Sequence, residues 1–189
     1  MIPVRRAPAT LEAGARLHLL AVETADSPLR ESARSQIRAT IVDALAQTLG
    51  LPASALTIRS IPGEAPALIL PDGSQAGLSI SHSEGLSIAA IALDGAVGVD
   101  LMRIIGLADQ QALARDYLGP DATARLAALP AHEQARAFAQ VWTAHEAKLK
   151  CLGLPLTEWS EALETKLSRC AVQELALPEA WAGSLALVA

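Results

Sequence analysis

Three apolar segments lie close together between residues 78 and 101, and they constrain the fold more than any other feature of the chain. They run from Leu78 to Ser81, from Leu86 to Leu93 and from Ala96 to Leu101. Gly85 separates the first two, and Asp94-Gly95, a frequent two-residue hairpin turn, separates the last two. Because turns this short join antiparallel strands, the region predicts the core of an antiparallel sheet.

Apolar periodicity predicts further strands and helices on both sides of this region. Residues 1–16, which contain Pro3, Pro8 and Gly14, are expected to be irregular. The predicted strands lie near residues 17–23, 56–61, 172–175 and 184–188. The predicted helices lie near residues 28–49, 108–117, 121–129 and 131–150. This order favours an α+β fold over a doubly wound parallel sheet.

Composition excludes several classes of protein. A net charge of −5 with only three lysines argues against a broad nucleic-acid surface. Cys151 and Cys170 are too few for a disulfide framework and favour a reducing compartment. The short apolar run from Leu17 to Val22 contains His18 and predicts neither a signal peptide nor a membrane span. We therefore expect a cytoplasmic protein without membrane or nucleic-acid partners.

Asp100 ends the run Ala96-Val97-Gly98-Val99, so a carboxylate lies at the tip of an apolar strand. Such a carboxylate is suited to Mg²⁺, which prefers one or two carboxylates together with water and phosphate oxygens. An Asp that caps the following turn is the alternative interpretation.

Glu146 and Lys150 lie one turn apart on the long helix, at the edge of its apolar stripe. Both are expected to project over the rim of the sheet from the same side. An ordinary surface ion pair is the simpler interpretation of this spacing alone. His145 lies in the stripe and is, on its position alone, more typical of a core histidine than of a ligand. The stripe consists of Phe138, Val141, Trp142, His145 and Leu149.

A polar cluster, Ser79-Ile80-Ser81-His82-Ser83-Glu84-Gly85, ends the first apolar strand. Its hydroxyls and imidazole are able to bind phosphate oxygens, or alternatively to satisfy the backbone groups of a turn. No G-x-S-x-G motif is present, which argues against a serine hydrolase.

Three motifs, S-I-S-H-S-x-G, V-G-V-D and W-T-A-H-E-A-K-L-K, follow one another in this order. They resemble the signatures S-x-S-H-S, (I/V)-G-(I/V)-D-x-E and W-x-x-K-E-(A/S)-x-x-K of 4′-phosphopantetheinyl transferases of the surfactin-synthetase-activating type. The similarity spans about residues 77–156, and Gly63-Glu64-Ala65-Pro66 resembles the family's G-x-P segment. Each motif is short, but three in the right order are specific.

The resemblance implies two pseudo-symmetric α+β halves, residues 1–95 and 96–189, in a monomer that binds coenzyme A in the cleft between them. It implies transfer of the 4′-phosphopantetheine group from coenzyme A to a serine of an acyl or peptidyl carrier protein. Asp100 and Glu146 would bind Mg²⁺, and Glu146 and Lys150 would be catalytic. The implied contacts to coenzyme A are Ser81, His82, Pro66, Asp100, Lys150 and His145.

The chain departs from the family pattern at three positions. Met102 replaces the second acid of D-x-E, which predicts weaker metal binding because a thioether is a poor ligand for Mg²⁺. His145 replaces a lysine and is expected to titrate near neutrality. Glu64 lies where a basic residue is usual. A weakened homologue that binds coenzyme A or a carrier protein without transfer is therefore the competing hypothesis. Arg103 and Arg115 are candidates for docking an acidic carrier.

Overall fold

The computed structural model describes residues 1–6, 16–24, 30–61 and 65–189. Strands and helices occur in separate runs and the strands pair mainly in antiparallel fashion, so the predicted α+β class is confirmed. The strands are β1 Ile2–Pro3, β2 Arg5–Arg6, β3 Leu17–Glu23, β4 Thr57–Arg59, β5 Ala67–Ile69, β6 Gln75–Ser83, β7 Leu86–Ala92, β8 Val97–Arg103, β9 Cys170–Ala176 and β10 Trp181–Val188. The helices are α1 Arg30–Leu49, α2 Gln110–Leu113, α3 Pro120–Ala127, α4 Ala131–Cys151 and α5 Glu161–Leu167, with a 3₁₀ turn at Ala53–Ala55 and a π-helical turn at Ala114–Leu118.

Two sheets pack face to face between two helices. The six-stranded sheet has the order β2-β3-β7-β6-β5-β4 and the four-stranded sheet the order β1-β9-β10-β8. Side chains alternate along each strand, so β3 points Leu20 and Val22 at α1 and points Leu19 and Ala21 at the second sheet. Helix α4 covers the outer face of the four-stranded sheet. One core therefore lies between the sheets and another between α1 and the six-stranded sheet, and β7, which contributes to both, is buried along its whole length.

The three apolar segments that dominate the sequence form β6, β7 and β8, but the predicted connection between the last two is wrong. Strands β6 and β7 form an antiparallel hairpin at Gly85. The Asp94-Gly95 turn instead carries the chain from one sheet to the other, and β8 pairs with β10. Gly77 has no side chain to collide with the Gly95 carbonyl, which lets this turn pass close to β6. Strand β8 thereby lies beside β6 without a backbone ladder between them.

Helix α4 contacts its sheet through small residues, and here the sequence-based assignment of its inner face is wrong. Ala139, Thr143 and Ala147 are fully buried, whereas Trp142 and His145 of the predicted apolar stripe are half-buried. Small side chains let a helix approach a sheet closely, and Gly98 on β8 extends this close approach because a Cβ there would overlap the Ala147 carbonyl. The large apolar residues of the stripe, such as Phe138 and Leu149, pack instead against neighbouring helices and loops.

Replacement of Gly98 by alanine should destabilise the protein strongly. The added Cβ would overlap backbone atoms of Ala147 and Cys151, which cannot rotate away, so the cost is expected to be on the order of 3 kcal/mol. Gly106→Ala is the matched control, because a Cβ at Gly106 meets nothing within 4 Å. Urea unfolding measures both changes. Equal stability of the two variants would show that α4 does not pack on β8 at this point.

The N-terminal residues and one helix also differ from what the sequence predicts. Residues 2–6 are not wholly irregular, because β1 and β2 add short parallel strands to the sheet edges. Helix α5 was not predicted, although Ser160 caps its N-terminus by accepting a hydrogen bond from the Leu163 amide. The predicted start of the first helix near residue 28 lies outside the described residues, and the division into halves 1–95 and 96–189 stays a prediction.

Candidate active site

Asp100 lies on β8 and points toward α4, where it meets two partners. Strand alternation directs Val99 and Leu101 into the core between the sheets, so Asp100 faces the opposite side. Its Oδ1 accepts a hydrogen bond from Lys150 Nζ at 2.6 Å and another from Ser81 Oγ at 2.8 Å. The side chain of Asp100 is only 8% exposed and that of Lys150 31% exposed. The strand carboxylate and the helix lysine therefore form an ion pair that is largely shielded from solvent, a contact that the sequence did not predict.

Lys150 reaches Asp100 because it lies on the sheet-facing side of α4. At 100° per residue Lys150 is about 20° from the buried Thr143 around the helix axis, and Glu146 is about 60° from it on the same side. Lys150 Nζ also donates to the Val99 carbonyl at 3.3 Å. The lysine is thus fixed at the same strand segment that presents the carboxylate.

Glu146 completes a cluster of three charged side chains. Burial raises the pKa of its carboxyl group, the negative charge of Asp100 raises it further, and the positive charge of Lys150 lowers it. The first two effects disfavour a charged Glu146, and a positive charge placed between the carboxylates would relieve both. The cluster therefore favours the binding of a cation or the uptake of a proton.

A cleft opens beside Lys150. Its two parts, with volumes of about 410 Å³ and about 350 Å³, share lining residues from the segment before β5, from β6 and from the end of α4. Pro66 and Lys150 of the predicted contact residues line both parts, and Ser79 lines one of them. The residues lining both are Ala65, Pro66, Leu78, Lys150 and Gly153. The Glu64 position lies outside the described residues.

His82 and His145 do not join the charged cluster. Alternation along β6 puts His82 on the face opposite Ser81, and its Nδ1 lies 2.8 Å from Oγ of the buried Ser87. His145 lies about 200° around α4 from Thr143 and contacts the Trp142 ring at 6.4 Å between centroids. Both contacts of these histidines to coenzyme A stay predictions.

The expectation that His145 titrates near neutrality is wrong. Burial, reinforced by the positive charge of Lys148, lowers the pKa of His145 to about 4. Its Nε2 is buried without a hydrogen-bond partner among the described residues. A charged imidazole would therefore be costly here, and the residue is neutral at physiological pH.

Met102 packs where the family pattern places a second acid. Its side chain points toward α4, like that of Asp100, and contacts an apolar cluster that includes Phe138 and Trp142. Trp142 stacks on Phe138 at 5.5 Å between centroids and meets the edge of Tyr117 at 5.8 Å. A carboxylate at position 102 would be partly buried against these rings, which explains why an apolar residue suits this chain.

Sequence reasoning missed a buried hydroxyl pair next to the cluster. Thr143 Oγ1 and Ser184 Oγ are 3.0 Å apart, and both residues are almost completely buried. Ser184 pairs with Asp100 in the β8–β10 register, so the contact fixes α4 on the sheet beside Asp100. The sequence feature that could have indicated this contact is Thr143, which lies three residues before Glu146 and therefore on nearly the same side of the helix.

The donor set at the cluster fits a hard divalent cation. Asp100 and Glu146 both offer carboxylate oxygens, and the charge of one raises the pKa of the other. Among the residues that the structure describes, no three His, Cys, Asp or Glu side chains form a metal-ligand group. Mg²⁺ tolerates such a sparse set because it keeps water ligands and accepts phosphate oxygens.

Comparison with known proteins places the site in a matched region. Residues 96–182 match the family model for the 4′-phosphopantetheinyl transferase superfamily, and this range contains Asp100, Glu146 and Lys150. The described part of the chain also has no helix that is long and apolar enough to cross a membrane.

Two curated cyanobacterial proteins are similar to the chain. The 4′-phosphopantetheinyl transferase HetI of Nostoc sp. (strain PCC 7120) is 28% identical over 103 residues, which cover 54% of this chain and 43% of that protein. The putative 4′-phosphopantetheinyl transferase slr0495 of Synechocystis sp. (strain PCC 6803) is 27% identical over 92 residues, which cover 49% of this chain and 37% of that protein. The chain thus aligns with less than half the length of either relative. Residues 96–182 are thus similar to the 4′-phosphopantetheinyl transferase superfamily, and the chain is similar to two proteins that carry this name.

Proposed function

We propose that this protein transfers the 4′-phosphopantetheine group from coenzyme A to a serine of an acyl or peptidyl carrier protein, with Mg²⁺. The observation that carries the proposal is the convergence of Asp100, Glu146 and Lys150 beside a cleft. All three positions match motifs of the surfactin-synthetase-activating type. The protein would act as a monomer in the cytoplasm, where its buried free thiols, Cys151 and Cys170, would remain reduced.

The cleft offers both chemical environments that coenzyme A requires. Lys150 supplies a positive charge for the diphosphate, and the backbone and side chains around it supply an apolar wall for the pantetheine arm. The apolar wall includes Pro66, Leu78, Ile80, Leu154 and Pro155. An anionic ligand would draw Lys150 Nζ away from Asp100 Oδ1, which would leave this carboxylate available to the cation.

The reaction requires positioning and charge neutralisation more than covalent assistance. The carrier serine oxygen forms a bond to the β-phosphorus of coenzyme A, and the bond from this phosphorus to adenosine 3′,5′-bisphosphate breaks. Glu146 accepts the serine proton directly or through water. Lys150 stabilises the negative charge of the diphosphate. Mg²⁺ held by Asp100 and Glu146 would supply further neutralisation of the phosphate oxygens.

The carrier protein would approach near the β8 end of the site. Arg103 lies three residues beyond Asp100, at the surface, and Arg115 lies on the following helical turn. Each is partly neutralised by an acidic neighbour, because Arg103 pairs with Glu84 at 3.3 Å and Arg115 with Asp116 at 2.8 Å. An acidic carrier helix would have to displace these exposed pairs, which are weak in water.

The proposal is tested by incubating the protein with coenzyme A, Mg²⁺ and an apo carrier protein and then measuring both products. We expect adenosine 3′,5′-bisphosphate to appear in step with holo carrier. A carrier that lacks its acceptor serine should give neither product. Bisphosphate release without carrier modification would identify a hydrolase and contradict the proposal.

The runner-up function is binding of coenzyme A or a carrier without transfer, favoured by Met102 at the second acidic position. Calorimetry separates the two hypotheses. Binding of coenzyme A with no product on any of several carriers would favour the runner-up, whereas turnover on one of them would exclude it.

A further inference from the structure

Among the residues that the structure describes, no strand pairs with the edge of β8 that lies beside β6, and two serine hydroxyls accept hydrogen bonds from its backbone there. Strand β10 pairs with the other edge of β8. On the edge beside β6 the Val99 amide donates to Ser79 Oγ at 2.9 Å, and the Leu101 amide donates to Ser81 Oγ at 3.2 Å. Ser79 and Ser81 are both buried. The two bonds flank Asp100 and replace the backbone ladder that a neighbouring strand would provide.

Ser81 differs from Ser79 in one respect. Its Oγ accepts the Leu101 amide and also donates to Asp100 Oδ1 at 2.8 Å. A serine hydroxyl has a single proton, and Asp100 takes it. Phosphate oxygens at neutral pH are acceptors, so Ser81 in this arrangement has no proton to offer to the nucleotide end of coenzyme A.

We infer that Ser81 is a positioning residue that orients the Asp100 carboxylate for the divalent cation, in place of a direct contact to coenzyme A. The inference rests on the proposed function, because that function supplies the cation. With the Asp100 backbone held at both neighbouring amides and Oδ1 held by Ser81, the rotation of the carboxylate is fixed. The described hydrogen bonds from Ser81 Oγ and Lys150 Nζ both go to Oδ1, which leaves Oδ2 as the oxygen for the cation. Such supporting hydrogen bonds govern how tightly a ligand side chain binds its metal.

The pair Ser79 and Ser81 supplies its own matched control. Ser81→Ala and Ser79→Ala each leave one β8 amide without its acceptor, so both should lower thermal stability, Ser81→Ala by more because its bond to Asp100 is lost as well. Only Ser81→Ala also removes a hydrogen bond from the Asp100 carboxylate, which then keeps Lys150 Nζ as its described partner. We expect Ser81→Ala to weaken Mn²⁺ binding, measured by titration of free Mn²⁺ with electron paramagnetic resonance, by about tenfold or more. Ser79→Ala should change the Kd by less than about twofold. Equal Kd values for the two variants would overturn the inference.

Cysteine substitutions keep the test available if an alanine variant does not fold. Cysteine is nearly the same size as serine but is a weak hydrogen-bond donor. Ser81→Cys should therefore retain the fold and still bind Mn²⁺ less tightly than Ser79→Cys, and no difference between them would contradict the role of Ser81.

Failure of this inference is distinguishable from failure of the proposed function. If the wild-type protein modifies a carrier but the two serine variants bind Mn²⁺ alike, only the role of Ser81 is wrong. If Mn²⁺ binding depends on Ser81 but no carrier is modified, the positioning role stands and the transferase assignment is wrong. If the wild-type protein does not bind Mn²⁺, the inference is overturned with the metal site.

Discussion

Glu146→Gln should nearly abolish carrier modification and, at the same time, make the protein more stable near pH 7. Glutamine has no basic oxygen to accept the serine proton and is a weaker cation ligand, so a rate loss of about 10²- to 10⁴-fold is expected. Stability should rise because burial and the Asp100 charge both disfavour ionised Glu146, and the substitution removes that charge. Carrier mass spectrometry measures the first effect and thermal unfolding in a chelator measures the second.

The stability gain should depend on pH. The folded-state pKa of Glu146 is raised above its ordinary value, so the folded protein binds its proton more tightly than the unfolded chain does. Wild-type stability is therefore lost relative to Glu146→Gln as pH rises from the ordinary glutamate pKa, about 4.3, through the raised value. Below that window the two proteins should unfold alike. A variant less stable than wild type at pH 7 would mean that Glu146 is stabilised in its charged form.

Lys150→Met should have the opposite effect on stability. It would leave the buried Asp100 carboxylate without its cation, at a cost on the order of 2 kcal/mol. Transfer should also fall, by about 10²-fold, because the diphosphate loses its positive partner. Lys148→Met is the matched control, since Lys148 lies about 200° around the helix from Lys150 and faces away from Asp100.

A double substitution isolates the ion pair. Lys150→Met leaves the Asp100 charge unpaired, and Asp100→Asn removes that charge. The double variant should therefore be more stable than Lys150→Met alone. Urea unfolding of the four proteins in the cycle gives the coupling between the two side chains. Strictly additive losses would show that Lys150 stabilises the fold through contacts other than Asp100.

The family resemblance of three short motifs implied that Asp100, Glu146 and Lys150 belong to one site, but not that Asp100 and Lys150 form an ion pair. Asp100 at a strand end and Glu146 and Lys150 one helical turn apart were apparent in the sequence. The face of α4 that meets the sheet was not apparent. Large apolar residues dominate a periodicity pattern, whereas the small residues Ala139, Thr143 and Ala147 form the actual contact. The close approach of α4 to β8 at Gly98 requires that this residue has no Cβ, and a periodicity pattern does not reveal such a requirement.

The connection at Asp94-Gly95 shows a second limit. A two-residue turn between apolar segments is typical of a hairpin, yet whether the second strand pairs with the first depends on residues far away in the chain. Here β10, more than 80 residues later, pairs with β8. The serine hydroxyls of β6 then satisfy the other edge of β8, and this arrangement joins Ser81 to Asp100. The burial that lowers the pKa of His145 likewise results from tertiary packing, which the sequence motif does not specify.

The central claim, that the Asp100–Glu146–Lys150 cluster transfers phosphopantetheine, is tested most directly by the intact mass of an apo carrier protein over time. Wild-type protein and Asp100→Asn would be compared with coenzyme A and Mg²⁺ at equal folded concentrations. We expect a phosphopantetheine-sized mass gain that is at least about 10²-fold slower in the variant. Equal rates would contradict the assigned site, and no gain with the wild type on any carrier would contradict the assigned function.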